Sequence, residues 1–285
     1  MLTNYQVLAI TAYTIPTILQ AFGLFLLIVT KFVDENLKQR FYFITLSFSE
    51  CLVSAFGALR WIMYPYEYPG KMIRIFFGYA LMYEVMIALT LDRFLKIFLN
   101  IKYPLYWKNS HTVKLIVALF VLNGLLCFII WIANPTMKTL DTYFYLPFDT
   151  VFLIVAIGTY GYIFVKIMNN RKVATSELPA NNQVETSQPQ SSTTPNQRYV
   201  MIHKQFLSTF LLVITFSIFT VVPDFVYLYY GLNDEYKDLQ EWTGALLTAF
   251  YSTSFICDFL IYTFSSKPIR KKLKKWARLG RANTL

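Results

Sequence analysis

Apolar residues along this chain gather into long runs that are separated by short polar connections. Seven of these runs reach about 20 residues, the length at which an α-helix crosses the hydrocarbon core of a bilayer. They cover residues 7–30, 41–63, 72–98, 113–132, 144–167, 206–229 and 242–264. Strands of a membrane barrel alternate apolar and polar residues over about ten positions, and these runs do not. The pattern therefore predicts an all-α membrane protein, built as a seven-transmembrane helix bundle.

The composition agrees with a chain that is embedded in lipid. Of its 285 residues, 56% are hydrophobic and only 15% are charged, and the mean hydropathy is +0.44. An ordinary soluble domain is far less apolar. The net charge of +10 does not indicate a nucleic-acid partner, because the Lys and Arg residues lie between and after the apolar runs rather than in one basic domain. The partner that this charge favours is the lipid bilayer.

The basic residues are distributed unevenly over the connections. They crowd the first, third and fifth connections and the segment after the last run, whereas the connection between the sixth and seventh runs is net acidic. Cytosolic loops carry the excess of Lys and Arg in membrane proteins. We therefore expect a multi-pass protein of the plasma membrane with an extracellular N-terminus and a cytosolic C-terminus.

Two stretches are not expected to cross the membrane. Residues 173–202 are rich in Ser, Thr, Asn, Gln and Pro, which predicts a disordered cytosolic loop. Residues 265–285 place apolar side chains four and three positions apart among many Lys and Arg residues. This spacing predicts an amphipathic interfacial helix followed by a short cytosolic tail. The bundle then occupies residues 1–264.

A few charged or kink-forming residues lie inside the apolar runs. Glu50 lies deep in the second run and Asp258 deep in the seventh, where a lone carboxylate needs a partner, a proton or water. If the two side chains face each other, they share a proton or bind a cation such as sodium. Pro223 in the sixth run removes one backbone hydrogen bond, which predicts either a hinge or a static kink.

Several short motifs resemble those of the rhodopsin-like (class A) G-protein-coupled receptors, and they occur in the family's order. Residues 92–94, which read DRF, resemble the Asp-Arg-Tyr signature at the inner end of helix three. LSFSE at 46–50 is similar to the helix-two motif Leu-Ala-x-x-Asp, and DFLIY at 258–262 to the helix-seven motif Asn/Asp-Pro-x-x-Tyr. SSKPIRKKLKKW at 265–276 resembles the amphipathic helix on the inner leaflet.

The chain also departs from the family's pattern. Phe94 replaces the Tyr of the helix-three signature, Glu50 the Asp of helix two, and Phe259 the Pro of helix seven. Val221 stands in place of the helix-six Trp, and the outer Cys of helix three is missing. The resemblance is thus to a divergent member, in which we expect the details of activation to differ more than the fold.

The resemblance implies a cell-surface receptor that binds an extracellular ligand, a small molecule or a peptide, and activates a heterotrimeric G protein through an outward swing of helix six. Arg93 would be held by Asp92 at rest and released by that swing to meet the partner. The implied activation switch comprises Asp92, Arg93, Tyr160, Pro223 and Tyr262. For Tyr160 an ordinary interfacial aromatic role is the alternative.

The outer halves of the helices line the ligand pocket in this family. The implied ligand-binding residues are Arg60, Trp61, Ile75, Asp224 and Tyr227. Because Ile75 stands where amine receptors keep an Asp, and Arg60 offers a positive charge, a carboxylate or an amidated peptide end is favoured over a monoamine. Trp61 and Tyr227 have the alternative role of interfacial belt residues.

For Glu50 and Asp258 the resemblance implies a buried sodium pocket. Met82 stands about where the family's helix-three Ser ligand would be, which favours a shared proton over the ion. No other metal and no cofactor is expected.

Other classes of protein fit the sequence less well. An enzyme is not expected, because the only His residues, His111 and His203, lie near loop ends and the sequence has neither a catalytic triad nor a Gly-rich phosphate loop. Two alternatives stay open. One is a seven-helix transporter or channel that uses the buried carboxylates, and the other is a receptor-like membrane protein that does not couple to a G protein.

Overall fold

The chain is helical wherever its computed structural model describes it. The described residues are 3–30, 37–63, 73–99, 103–133, 146–176, 207–223, 225–226 and 240–282. No strand occurs within these ranges. The predicted all-α fold class is therefore confirmed for this part of the chain.

The described residues form eight helices and one isolated helical turn, Tyr103–Tyr106. The helices are α1 Asn4–Val29, α2 Leu37–Met63, α3 Arg74–Leu99, α4 Asn109–Ala133, α5 Leu146–Ser176, α6 Leu207–Val221, α7 Gln240–Ser265 and α8 Lys267–Ala282. Each predicted apolar run coincides with one of the first seven helices, and α8 covers the predicted amphipathic segment. α5 continues into the first residues of the segment predicted as a disordered loop, while residues 177–206 lie outside the described part.

Six of these helices, α1 to α5 and α7, are long and apolar enough to cross a membrane. α6 is also apolar but is described over a shorter length. Two residues of its predicted continuation, Asp224 and Tyr227, lie outside the described residues. The seventh crossing therefore stays a prediction.

α3 lies at the centre of the packing and α4 at its edge. Of the most apolar stretch of α3, 72% is buried inside the protein, against 6% of the corresponding stretch of α4. α3 contacts α2, α4 and α5, whereas α1 packs against α2 and α7, and α7 contacts α6. The other helices thus surround α3.

The sequences of α3 and α4 explain these two positions. On α3, the side chains at 81–83, 85, 86 and 89 are apolar or aromatic and fully buried, so nearly every face of the helix meets protein. On α4, large apolar side chains are exposed at intervals of three and four residues, at Val117, Val121, Leu125, Phe128 and Ile132. An exposed apolar face of this kind suits contact with lipid.

An aromatic cluster of Tyr83, Phe152 and Phe216 joins α3, α5 and α6. The ring centroid of Phe216 lies 4.9 Å from that of Tyr83 and 4.9 Å from that of Phe152, both in edge-to-face geometry. Such pairs contribute about 0.5–1.5 kcal/mol each beyond the burial of their area. The Tyr83 hydroxyl also donates a hydrogen bond to Oδ1 of Asp149, near the start of α5. This cluster holds the three helices together in the core.

Cationic side chains cap helix C-termini at one end of the protein. Arg40 donates hydrogen bonds to the carbonyl oxygens of Leu27 and Ile28 at 3.0 and 2.9 Å. Lys166 on α5 donates to the Ile97 carbonyl oxygen in the last turn of α3 at 3.1 Å. Lys272 on α8 donates to the carbonyl oxygen of Val29, the last residue of α1, at 3.3 Å. Positive charge there satisfies the last carbonyls and complements the helix dipole. We call this end, marked by Arg40, Lys166 and Lys272, the basic end.

α8 lies against the basic end through the apolar face that its sequence predicts. Ile269 is 1% exposed, and Leu273 and Trp276 pack against the main core. The Trp276 ring stacks on Phe25 of α1 with 6.2 Å between the ring centroids. The predicted face of α8 is therefore used to dock the helix on the rest of the protein.

Glycines allow close approach between two pairs of helices. A Cβ atom at Gly57 on α2 would lie 2.7 Å from the Tyr13 ring of α1, and a Cβ atom at Gly78 on α3 would lie 2.7 Å from the Val53 side chain of α2. Gly158 on α5, in contrast, has no such atom within 4 Å. Small residues at helix interfaces let membrane helices pack tightly.

We expect Gly57→Ala to destabilise the protein. The added methyl group would overlap the Tyr13 ring, which is 1% exposed and whose hydroxyl is hydrogen-bonded to Arg74, so the ring has little room to move. Overpacking of this kind costs about 1–3 kcal/mol. The measurement is the thermal unfolding midpoint in detergent, and the control is Gly158→Ala. The control should keep its midpoint or gain slightly from better helix propensity, and equal midpoints for both variants would contradict the close contact of α1 with α2.

Candidate functional site

Polar side chains lie buried where α1, α2 and α7 meet. We call this group the buried polar cluster, and its members Gln20, Ser47, Glu50, Asp258 and Tyr262 are all 0% exposed. The structure brings the predicted pair together, because the carboxyl groups of Glu50 and Asp258 are close enough to interact. Within the described residues, no donor reaches either carboxyl oxygen of Glu50. A fourth helix, α6, also reaches the cluster, since its Thr215 hydroxyl donates to Oδ1 of Asp258 at 3.1 Å.

The contact between Glu50 and Asp258 has a chemical consequence. Two ionised carboxylates offer only acceptors, so a hydrogen bond between them needs one proton. Bulk water does not reach either side chain to spread a second negative charge. The geometry therefore fits a pair that holds one proton between its two carboxyl groups.

A sodium ion fits the same residues less well. Hard cations bind through several oxygen ligands, and a carboxyl–carboxyl hydrogen bond occupies oxygens that the ion would need. Across the described ranges, no group of three or more His, Cys, Asp or Glu residues could hold a metal ion. Sodium binding at Glu50 and Asp258 stays a prediction.

Gln20 connects the remaining members of the buried polar cluster. The Tyr262 hydroxyl donates to Oε1 of Gln20, and the Ser47 hydroxyl donates to the Tyr262 hydroxyl at 2.7 Å. Nε2 of Gln20 donates to the Phe255 carbonyl oxygen on α7 at 2.7 Å. Tyr262, which the resemblance places in the activation switch, thus bonds to Gln20 of α1 and Ser47 of α2.

Phe259 packs against α1 at the position where the family has Pro. A Cβ atom at Gly23 of α1 would lie 3.0 Å from the Phe259 ring and 3.3 Å from the Tyr262 ring. α7 runs without a break through this position, from Gln240 to Ser265. The glycine of α1 therefore makes the room that the larger Phe side chain needs.

Asp92 and Arg93 lie buried at the basic end, 4% and 5% exposed. The Tyr103 hydroxyl, in the helical turn between α3 and α4, donates to Oδ1 of Asp92. Nζ of Lys38 lies 4.2 Å from the centroid of the Tyr103 ring. Burial, and then the negative charge of Asp92, raise the pKa of the Tyr103 hydroxyl. Tyr103 therefore keeps its proton at neutral pH and stays a donor to Asp92.

Tyr160 lies close to Arg93 and is itself largely buried. Its hydroxyl is within hydrogen-bonding range of Thr90, and the side chain is 7% exposed. Its ring packs against Phe210 of α6 with 5.4 Å between centroids. Tyr160 therefore lies inside the protein, between α3, α5 and α6, and its switch role stays a prediction.

The predicted ligand-binding residues that the structure describes do not converge. Arg60 is exposed near the end of α2. Trp61 is 9% exposed and packs with Ala9, Tyr13 and Ala245 of α1 and α7. Ile75 packs in another direction, against Leu126, Cys127 and Ile130 of α4.

The first turns of α3 are not α-helical. Residues Arg74–Ala80 form a π-helix, which has more residues per turn than an α-helix. The ligand-binding role of Ile75 stays a prediction. Arg74 is the residue that reaches α1, where its Nη2 donates to the Tyr13 hydroxyl at 2.9 Å.

A second π-helix, Ser217–Val221, lies at the described end of α6. Pro223 follows it and is buried. The two candidate ligand residues beyond it, Asp224 and Tyr227, lie outside the described residues. The π-helix ends two residues before Pro223, and the chain is helical at Val222 and Pro223. The hinge at Pro223 stays a prediction.

Sequence reasoning missed three residues of these sites. Gln20 is the one amide in the middle of an otherwise apolar first run, and that isolation was the available signal. Arg74 was visible as a charge inside the third run. Tyr103 lies outside every apolar run, so no signal separated it from the other tyrosines.

No protein-family model matches the chain, and no curated protein matches it. Its function must therefore be inferred from its own residues.

The hydrogen bond between Gln20 and Tyr262 should be measurable as a coupling energy. Gln20→Leu and Tyr262→Phe should each destabilise the protein by about 1–3 kcal/mol, because each leaves a buried polar partner unsatisfied. The loss in free energy of unfolding for the double variant should be smaller than the sum of the two single losses by about 0.5 kcal/mol or more. The measurement is the unfolding midpoint of the four proteins in detergent.

Thr253→Val provides the control for this cycle. Its hydroxyl is exposed on α7 and donates only within its own helix, to the Ala249 carbonyl oxygen at 2.8 Å. Gln20→Leu and Thr253→Val should therefore be additive. Additive behaviour of Gln20→Leu with Tyr262→Phe would show that the two side chains do not act together.

Proposed function

We propose that this chain is a seven-helix plasma-membrane receptor, similar to the rhodopsin-like class of G-protein-coupled receptors. It binds an extracellular ligand and activates a heterotrimeric G protein through an outward swing of α6. The N-terminus is extracellular, the basic end faces the cytosol, and α8 lies on the inner leaflet.

The observation that carries this proposal is the buried arginine site at the basic end. Arg93 is 5% exposed. It lies beside Asp92, which accepts a hydrogen bond from the hydroxyl of Tyr103, a residue outside the membrane-spanning helices. An arginine that only anchors a helix in the membrane would extend toward water and lipid headgroups, where its charge stays hydrated. A buried guanidinium with five donors suits a partner's carbonyl groups that become accessible only when helices move apart.

α6 has the features of a helix that moves. A π-helical turn ends two residues before Pro223, and such turns and prolines both interrupt the regular hydrogen-bond ladder. Below this point α6 contacts Tyr160 through Phe210 and Asp258 through Thr215. Movement of α6 would therefore change the surroundings of the Arg93 site and of the buried polar cluster together.

A proton-coupled transporter is the second candidate, and the pair of Glu50 and Asp258 favours it. Two neighbouring carboxyl groups that are fully buried are the kind of site that proton-driven transporters use. The lack of two matching sequence halves counts against this candidate, since many transporters are built from repeats.

The orientation can be tested with two epitope insertions. Lys and Arg crowd the basic end, so the connection after α5 should be cytosolic. A tag inserted after Asn182 should stain only after the cells are permeabilised, and a tag at the N-terminus should stain intact cells. The reverse pattern would place the basic end outside and remove the G protein as a partner.

Coupling can be tested without a known ligand, through the basal exchange of nucleotide on a promiscuous G protein in the same membranes. Arg93→Ala should reduce exchange to background, because no other side chain at that position supplies the guanidinium fork. Arg93→Lys should retain only a small part of the wild-type nucleotide exchange. Surface expression should be equal for the wild type and the two variants. Full exchange by Arg93→Ala would make Arg93 an anchor.

Proton flux measured in the same vesicles separates the receptor from the transporter. The receptor should show no flux above empty vesicles. Flux that Asp258→Asn abolishes, together with no nucleotide exchange, would favour the transporter.

A further inference from the structure

Glu84 of α3 and Asn123 of α4 form a polar pair away from the buried polar cluster. Nδ2 of Asn123 donates to Oε2 of Glu84 at 2.6 Å and to the Leu119 carbonyl oxygen of its own helix at 2.9 Å. These two bonds use both protons of the amide, so they hold it in one orientation. Asn123 is 0% exposed, whereas Glu84 is only partly buried. Oε1 of Glu84 has no hydrogen-bond partner among the described residues and is not one of their enclosed polar atoms.

The depth of the pair determines the form of the carboxyl group. Both residues lie near the middle of helices that are long and apolar enough to cross a membrane. At a rise of about 1.5 Å per residue, each is within about 5 Å of the midpoint of its helix. An isolated carboxylate is very costly in hydrocarbon, so the neutral acid is the form that suits this depth. Because Oε2 accepts the bond from Asn123, the proton of the acid belongs on Oε1, where it is a donor on the exposed side.

Glu84 belongs to a strip of α3 that the protein does not cover. The residues between 81 and 91 that are not buried are Glu84, Ile87, Ala88 and Leu91. Their spacing of three and four positions places them on one face of the helix. The bond to Asn123 marks α4 on one side of this strip. On the other side Tyr83 packs against Phe152 of α5, with 6.1 Å between the ring centroids.

The strip is the floor of a groove with α4 and α5 as its walls. Both of these helices pack on α3, but they hardly contact each other within the described residues. The floor is one strip of side chains wide, and an α-helix with its side chains is about 10–12 Å across. A narrow hydrocarbon chain or ring therefore fits the groove better than a helix of another protein does.

We propose that this groove binds an uncharged lipophilic molecule from the bilayer, whose carbonyl or hydroxyl oxygen accepts a hydrogen bond from Oε1 of Glu84. A donor without an acceptor is costly in hydrocarbon, and a neutral oxygen supplies the acceptor without adding a charge. Asn123 is a positioning residue, because it holds the carboxyl group with Oε1 toward the groove. Ile87 and Leu91 contact the apolar body of the ligand. The ligand enters sideways from the lipid, so the site is separate from an extracellular ligand pocket and does not depend on the proposed receptor function.

A lipid-soluble carbodiimide tests whether the acid faces the groove. N,N′-dicyclohexylcarbodiimide dissolves in hydrocarbon and converts protonated carboxyl groups into stable acylureas. In the full chain, in lipid nanodiscs that hold one protein each, it should label Glu84. Glu50 and Asp258, both 0% exposed, should stay unlabelled. Peptide mass spectrometry locates the label, and a water-soluble carbodiimide should label none of the three.

Three probes of similar shape test what the groove accepts. They are 7-tridecanone, 7-tridecanol and tridecane, in which the oxygen, where present, lies in the middle of the chain and reaches the depth of Glu84. The ketone and the alcohol should protect Glu84 from the carbodiimide at about ten-fold lower mole fraction in the lipid than tridecane, the scale of one hydrogen bond.

Three variants assign the binding to Glu84 through the infrared carbonyl band of the ketone, labelled with ¹³C, which moves to lower frequency when its oxygen accepts a hydrogen bond. The wild type should show the shifted band above that of empty nanodiscs. Glu84→Met should remove it, whereas Glu84→Gln should restore it, because the amide of Gln also combines an acceptor for Asn123 with a donor for the ketone. Leu125→Met, on the exposed face of α4, should leave the band unchanged.

The proposal fails if Glu84 is not labelled, if tridecane protects as well as the ketone, or if Glu84→Met keeps the shifted band. Labelling that is lost in native membranes and that the ketone does not reduce in nanodiscs would mean that a second copy of the chain covers the strip, which also overturns the proposal. Should Glu84→Met not fold, the comparison of ketone with tridecane and the Glu84→Gln variant still decide. No G protein is present in these measurements, so their outcome is independent of the proposed function.

Discussion

Polar groups inside these helices must find their partners within the protein, because the hydrocarbon around a membrane helix offers none. Glu50 and Asp258 are the strictest case, since two buried acids can lie together only when they hold a proton or a cation between them. Gln20, Ser47 and Tyr262 complete the same group with hydroxyl and amide bonds from three helices. The relative rotation of α1, α2 and α7 is therefore set by these hydrogen bonds together with the close contacts at Gly57 and Gly23.

The same constraint operates at both ends of the protein with different solutions. At the basic end, cations satisfy the terminal carbonyl groups of α1 and α3, and Tyr103 satisfies Asp92. At the other end, Arg74 of α3 donates to the hydroxyls of Tyr13 and Tyr79. These bonds tie the first turn of α3 to α1.

The positions of the helices could be predicted from the sequence, and their contacts mostly could not. Run length alone located the helices, because bilayer thickness sets a minimum length that few other structures require. The meeting of Glu50 and Asp258 followed from the cost of leaving either acid alone. The π-helix at Arg74–Ala80 could not be anticipated from the sequence, because it depends on packing rather than on any residue type. The hydrogen bond from Tyr103 to Asp92 could not be predicted either, because Tyr103 lies in the connection between α3 and α4, whose sequence shows no periodic pattern.

Under the proposed function, α3 joins the ligand to the G protein. It carries Arg74 in its first turn and Arg93 near its last, and its buried middle contacts α5 and α6 through Tyr83. A ligand can shift the protein between two states only by the difference in its affinity for them. Arg74 bonds the first turn of α3 to Tyr13 of α1, and α1 is bonded through Gln20 to the cluster that holds α7 and, through Asp258, α6. A ligand that changes the position of the first turn of α3 would therefore act on α6 through hydrogen bonds as well as through the direct packing of Tyr83.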